Sequence, residues 1–198
     1  MTSSVANSAS NSEPLSGSEL ANVPDEALVA GYLAGDQTAF EVLYTRHKGA
    51  IFRYLLHQLP RAAAEDAFQE TWLKIVKALP GYSEQGKFQA YIFRICHNVL
   101  MDHHRASMKG VEETGIDEDL EDTGSEVSGN ASNMQLREIL MRQLAALPVA
   151  QRSAWILKHE TQLTINQIAE LTDTTAEGVK SRLRYAMDKL KSRMQKYV

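Results

Sequence analysis

Residues 164–190 read TINQIAELTDTTAEGVKSRLRYAMDKL, and the reading of this stretch decides the fold. Thr164 is followed three residues on by Gln167, the pairing in which a hydroxyl and an amide satisfy each other's orphan backbone N–H groups at a helix start. Ile165, Ile168, Ala169 and Leu171 then supply one apolar face for a short helix. Thr174 and Glu177 repeat the pairing, so a second helix is predicted from Thr175 to Leu190. The gap Thr172-Asp173-Thr174 has the length of the turn in a helix-turn-helix.

In the second helix Val179, Leu183, Ala186 and Leu190 recur at helical spacing and are expected to face inward. That turns Lys180, Ser181, Arg182, Arg184 and Tyr185 to the other faces, with Thr175 at the helix start joining the set. An apolar side to seat the helix and a long polar side are what reading a major groove requires. Arg grips guanine bidentately, while Lys and Ser more often hold phosphate. An amphipathic hairpin with a solvated basic face is the competing reading. The paired caps together with the charge favour double-stranded DNA.

The formal net charge of −4 is an average over segments of opposite sign. Residues 178–198 carry Lys180, Arg182, Arg184, Lys189, Lys191, Arg193 and Lys196 against Asp188 alone, which suits phosphate contact. Residues 110–133 carry Glu112, Glu113, Asp117, Glu118, Asp119, Glu121, Asp122 and Glu126 and no Lys or Arg. This acidic stretch, rich in Gly, Ser and Thr, lacks the apolar surface to offset its ordering entropy and is read as a flexible linker. Residues 1–23, rich in Ser and Asn, are read as a disordered lead-in. Two small domains follow, 24–109 and 134–198.

Both domains read as all-α. Asp25-Glu26 opens a helix that breaks at Gly35-Asp36. Phe40, Leu43, Tyr44, His47, Ile51, Tyr54 and Leu55 stripe a second, stopped at Pro60. Ala64, Phe68, Trp72, Ile75, Val76 and Leu79 stripe a third, punctuated by Pro80-Gly81. After a loop at 82–87, Phe88, Tyr91, Ile92, Ile95, Val99 and Leu100 mark a fourth. Beyond the linker, Ile139, Leu140, Leu144 and Leu147 form a stripe ended by Pro148, and Ala154 to Leu157 belong to the next helix. No segment alternates as a strand would.

Taken together, Ile168-Ala169-Glu170-Leu171 with Val179-Lys180-Ser181-Arg182-Leu183 resembles the promoter −35 reading element of extracytoplasmic-function sigma factors of the sigma-70 family. Leu147-Pro148 with Arg152 resembles the run that precedes it. Glu65 to Trp72 resembles that family's polymerase-docking helix, and Phe88, Tyr91, Ile92, Arg94, Ile95 and Asn98 with Asp102 and Arg105 resemble its −10 reading helix. The resemblance implies a region 2 bundle and a region 4 helix-turn-helix domain. Asp66, Gln69, Glu70 and Trp72 would dock on the coiled coil of the largest subunit of core RNA polymerase. Lys87, Tyr91, Arg94, Asn98 and Arg105, with the loop 82–87, would act on melted single-stranded −10 DNA, where bases that leave the stack are caught by stacking and hydrogen bonding. An inhibitory anti-sigma factor is implied by the resemblance alone.

Three departures from the family pattern involve four positions. Tyr91 stands where Trp is frequent, Tyr185 and Met187 where Arg is common, and Asp173 where the turn has glycine. Asp accepts the left-handed conformation, whereas Tyr185 and Met187 bear on the −35 preference.

Asp102-His103-His104 superficially matches a metal motif, but successive helical residues point about 100° apart, and no metal, cofactor or catalysis is expected. The lone Cys96 excludes an internal disulfide, no stretch has the length of a membrane span, and the cytoplasm is the expected location. The rival function is a stand-alone helix-turn-helix regulator binding DNA as a dimer.

Overall fold

The computed structural model describes residues 22–83, 86–114 and 131–195, and their side chains except at 108–114 and 131–137. The expected lead-in up to residue 21, Glu84 and Gln85 of the loop, and residues 115–130 of the expected linker lie outside the described residues. Among the described residues there are eight α-helices, one 3-10 turn and no strand, the all-α class expected. They are α1 (Asp25–Leu33), α2 (Gln37–Leu56), α3 (Arg61–Ala78), α4 (Phe88–Thr114), α5 (Ala131–Ala145), α6 (Val149–Glu160), α7 (Ile165–Leu171) and α8 (Ala176–Met194).

Contacts divide the chain after Thr45. In the first unit Pro24 precedes α1, whose first turn carries Asp25 and Glu26 against the positive end of the helix dipole. Gly35 ends the helix at φ 103°, a conformation that costs glycine little. Asp36 then caps α2, its Oδ1 accepting the Thr38 N–H at 2.9 Å. Leu28, Val29, Ala39 and Leu43 are buried, and the rings of Tyr32 and Phe40 lie 4.9 Å apart.

The second unit runs from Arg46 onward. Its apolar interior on the N-terminal side takes Ile51 and Leu55 from α2, Ala64, Ala67 and Ile75 from α3, and Phe88, Ile92, Phe93, Cys96, Val99 and Leu100 from α4. α3 packs on α4, and Pro80-Gly81 turns the chain between them through the 3-10 segment Leu79–Gly81. Thr71, buried mid-helix, returns its hydroxyl to the Ala67 carbonyl at 2.7 Å, which pairs that buried group within the helix.

On the C-terminal side Leu144 and Leu147 meet Ala186 and Leu190 of α8, with Leu140, Met141 and Trp155 packed against them. Ile156 and Leu157 of α6 and Ile168, Ala169 and Leu171 of α7 are buried as well. Helix enters both ends of the stretch read as linker, since α4 continues to Thr114 and α5 starts at Ala131. The helix formers Glu112, Glu113 and Met134 at those edges are compatible with that extension. Among the described residues no helix is long and apolar enough to cross a membrane.

Candidate nucleic-acid interface

The helix-turn-helix is built from its caps outward. Thr164 makes the full reciprocal cap on α7, its Oγ1 accepting the Gln167 N–H at 3.3 Å while Gln167 Oε1 accepts the Thr164 N–H at 2.9 Å. The turn closes through the Thr174 N–H donating to the Ala169 carbonyl at 2.9 Å, and Asp173 takes φ 47°. A left-handed residue is needed there, and Asp is suited to supply it. The cap of α8 is Thr175 rather than Thr174, its Oγ1 accepting the Gly178 N–H at 3.0 Å. Thr174 instead packs its side chain over Gly178, where an added Cβ would stand 2.6 Å from Thr174 Oγ1.

Val179, Ala186 and Leu190 of α8 face inward as expected, while Leu183 is only half-buried. Opposite them Thr175, Lys180, Arg184 and Tyr185 are exposed. Tyr185 is 53% exposed and carries the Arg184 guanidinium 5.6 Å from its ring centre. Lys180 Nζ holds Glu177 Oε1 at 2.6 Å, and that bond lowers the Glu177 pKa. Ser181 and Arg182 are half-buried. Arg182 lies near enough to His97 of α4 for its charge to disfavour protonation of that ring.

On α4 the residues Tyr91, Arg94, Asn98 and Arg105 recur at three, four and seven residues and so share one face. Asn98 and Arg105 are exposed, as is Lys87 just before the helix. Arg105 Nη1 holds Asp102 Oδ1 at 2.6 Å. Tyr91 is half-buried, donating its hydroxyl to the Ala78 carbonyl at 3.1 Å with its ring 4.8 Å from that of Tyr82. Arg94 reaches towards α7, its Nη2 3.9 Å from Glu170 Oε2.

On α3, Asp66 and Gln69 are exposed, and Glu70 is held by Lys74 at 2.8 Å and by His103 at 3.3 Å. The Lys74 hydrogen bond lowers the Glu70 pKa. Trp72 does not belong to this face. It is 7% exposed and packs edge-on to Phe68, because its place in the apolar stripe turns it into the interior. The residue that sequence reasoning missed is Leu73, 72% exposed between these polar groups. Its signal was available: it lies three and four residues from Glu70 and Gln69 and off the buried stripe. Among the described residues no three His, Cys, Asp or Glu converge as metal ligands, and His103 turns to Glu70 instead.

A helix-turn-helix with a cationic outer face, preceded by a helical bundle, defines a DNA-binding protein of transcription. Sigma-70 region 2 matches residues 43–109 and Sigma-70 region 4 matches residues 137–190. The ECF RNA polymerase sigma-E factors of Escherichia coli (strain K12) and Salmonella typhi are each 26% identical to this chain over 180 residues, 86% of its length and 94% of theirs. The protein belongs to the sigma-70 family as an extracytoplasmic-function RNA polymerase sigma factor acting in transcription initiation. Two solved structures share its fold. The sigma factor RpoE from Bartonella quintana, in complex with the anti-sigma factor NepR, matches with a TM-score of 0.69 at 18% identity over 79% of this chain and 96% of that one. CnrH, in complex with the cytosolic domain of CnrY, matches with a TM-score of 0.63 at 21% identity over 86% and 97%.

Proposed function

We propose that this protein guides core RNA polymerase to promoters by reading a −35 element with α8 and opening a −10 element with α4. The −35 contacts are assigned to Thr175, Lys180, Ser181, Arg182, Arg184 and Tyr185. The −10 contacts are assigned to Lys87, Tyr91, Arg94, Asn98 and Arg105. Asp66, Gln69 and Glu70 around Leu73 form the docking face for the largest subunit, with Trp72 supporting that helix from below. The observation that carries the reading is the division of α8, with Val179, Ala186 and Leu190 buried while Lys180, Arg184 and Tyr185 stand in solvent.

The working location is the cytoplasm and the setting an envelope or stress response, with residues 24–109 and 134–198 as the two working domains. An anti-sigma factor is the natural inhibitor, supported by the complexes in which RpoE and CnrH were solved. Run-off transcription with purified core polymerase on a genomic fragment pool tests the reading. Initiation at a shared pair of −35 and −10 sequences is expected. A chain that binds palindromic DNA as a dimer and leaves core polymerase unaltered would instead be a stand-alone regulator.

A further inference from the structure

The outer face of α8 is not uniformly cationic. Glu177, Ser181, Arg184 and Asp188 recur at four, three and four residues, and so line the side of the helix turned away from buried Val179, Ala186 and Leu190. Glu177 stands at the start of that line, in the first turn of α8 after its Thr175 cap, with its side chain 81% exposed. Its Oε1 holds Lys180 Nζ at 2.6 Å, and the Lys180 side chain is itself exposed. Residues at the N-terminal end of a recognition helix are the ones that contact base edges in the major groove. A carboxylate at that end weakens the attraction to phosphate, so what it can gain on DNA lies at the bases.

We propose that Glu177 and Lys180 read one C·G base pair of the −35 element as a unit, the carboxylate accepting from cytosine N4 and the ammonium donating to guanine O6 and N7. The proposal rests on the reading of α8 as the −35 helix, and it adds Glu177 to the residues that set its base preference.

The two partners match because base pairing places the amino group of cytosine beside O6 of guanine in the major groove, a donor next to an acceptor. The ion pair offers the converse, an acceptor next to a donor, with the charged atoms already 2.6 Å apart. An A·T pair suits the same couple less well. Adenine sets the N7 lone pair beside its amino group, which repels a carboxylate, and thymine sets a methyl group beside O4, which crowds an ammonium. Guanine instead offers Lys180 two acceptors, and cytosine shows Glu177 only a C–H beside the amino group. Being exposed, the ion pair is weak and reorients over the bases at little cost. The Lys180 hydrogen bond, with the charges of Lys180 and Arg184, lowers the Glu177 pKa, so the acceptor enters the groove ionised.

The test uses holoenzyme assembled from core polymerase and the full chain, titrated at one fixed salt concentration. The DNA is a promoter recovered by run-off transcription, with each base pair of its −35 element replaced in turn. The unaltered chain is expected to lose roughly tenfold in affinity when one particular C·G pair is replaced. Glu177→Ala is expected to flatten the preference at that position and to keep the penalties at all others. Glu177→Gln is expected to move the preference there to A·T, since a carboxamide matches adenine N6 and N7 together, and this arm decides alone if Glu177→Ala fails to fold. A Glu177→Ala that tightens binding to every duplex by a common factor overturns the proposal, because a carboxylate that meets only phosphate acts without regard to sequence. Flattening at an A·T pair, or a profile that Glu177→Ala leaves unchanged, overturns it as well. Failure of the DNA reading itself shows separately, as absence of promoter-specific initiation by the unaltered chain with core polymerase.

Discussion

The hydroxyl of Tyr54 and Nδ1 of His97 lie 2.7 Å apart in the interior of the second unit, one from α2 and the other from α4. Burial is the main force on this imidazole and brings its pKa down to about 4, with the nearby charges of Arg182 and His104 pushing the same way. The ring is therefore neutral throughout the physiological range, and the interior pays no cost for housing a cation there.

Stability should consequently fall on mild acidification. The folded-state pKa of His97, about 4, lies below the ordinary 6.5, so the unfolded chain takes up the proton first and stability is lost as pH drops from 6.5 towards 4. Between about pH 7 and about pH 5 this amounts to about 2 kcal/mol, with half-buried His104 adding in the same direction. Glu70 and Glu177, whose pKa values are lowered from 4.5, contribute stability that is lost only below that value. Urea unfolding of the unaltered chain and of His97→Gln at both pH values checks this. Equal losses in the two proteins would clear His97 of the effect.

The neighbours Trp72 and Leu73 should behave in opposite ways. Trp72→Ala removes a buried ring and is expected to cost about 3–5 kcal/mol of folding stability. Leu73→Glu changes an exposed side chain, so its melting temperature should hardly move while its affinity for core polymerase falls by about 1–2 kcal/mol, as for an interface anchor. Co-elution with core at low concentration reads the second effect. Undiminished co-elution of a folded Leu73→Glu would remove this face from the docking surface.

Arg184 and Arg182 differ in availability and should differ on DNA. Arg184 is exposed, so Arg184→Ala should weaken −35 binding by about 1–3 kcal/mol with or without polymerase if it grips a base. Arg182→Ala should show a loss of that size only in the holoenzyme, because in the free chain Arg182 is half-buried beside α4. Binding titrations on the same duplex, with and without core, distinguish the two. Identical losses for both variants in both states would contradict the difference in their surroundings.

One small cluster seats α8 against α5. Leu144, 1% exposed, packs with Leu147, Ala186 and Leu190, and Leu144→Ala should cost about 2–5 kcal/mol. Because this cluster seats α8, the variant's DNA binding should fall in parallel with its thermal stability. A stable Leu144→Ala that has lost DNA binding would assign the residue a role other than packing.

Several helix boundaries were legible from local chemistry, although α4 and α5 run into the stretch read as linker. Pro60 and Pro148 precede α3 and α6, Thr164 with Gln167 caps α7, and Gly35 ends α1, each acting on a backbone group within a few residues of itself. The turn of the helix-turn-helix was legible too, since Asp173 is chemically suited to its φ of 47°. The choice of Thr175 over Thr174 as cap was not, because either hydroxyl has the right chemistry and only the path of the turn selects between them.

By itself the sequence determined an all-α chain, a stripe that seats α8 and a cationic face opposite it, since periodicity and capping are properties of neighbours along the chain. Only the tertiary structure decided that Trp72 is interior while Leu73 is exposed, that Arg182 is half-buried beside α4, and that Gln58 meets Arg152. Those outcomes depend on which face of one helix meets another dozens of residues away, and no local pattern encodes the angle at which two helices cross.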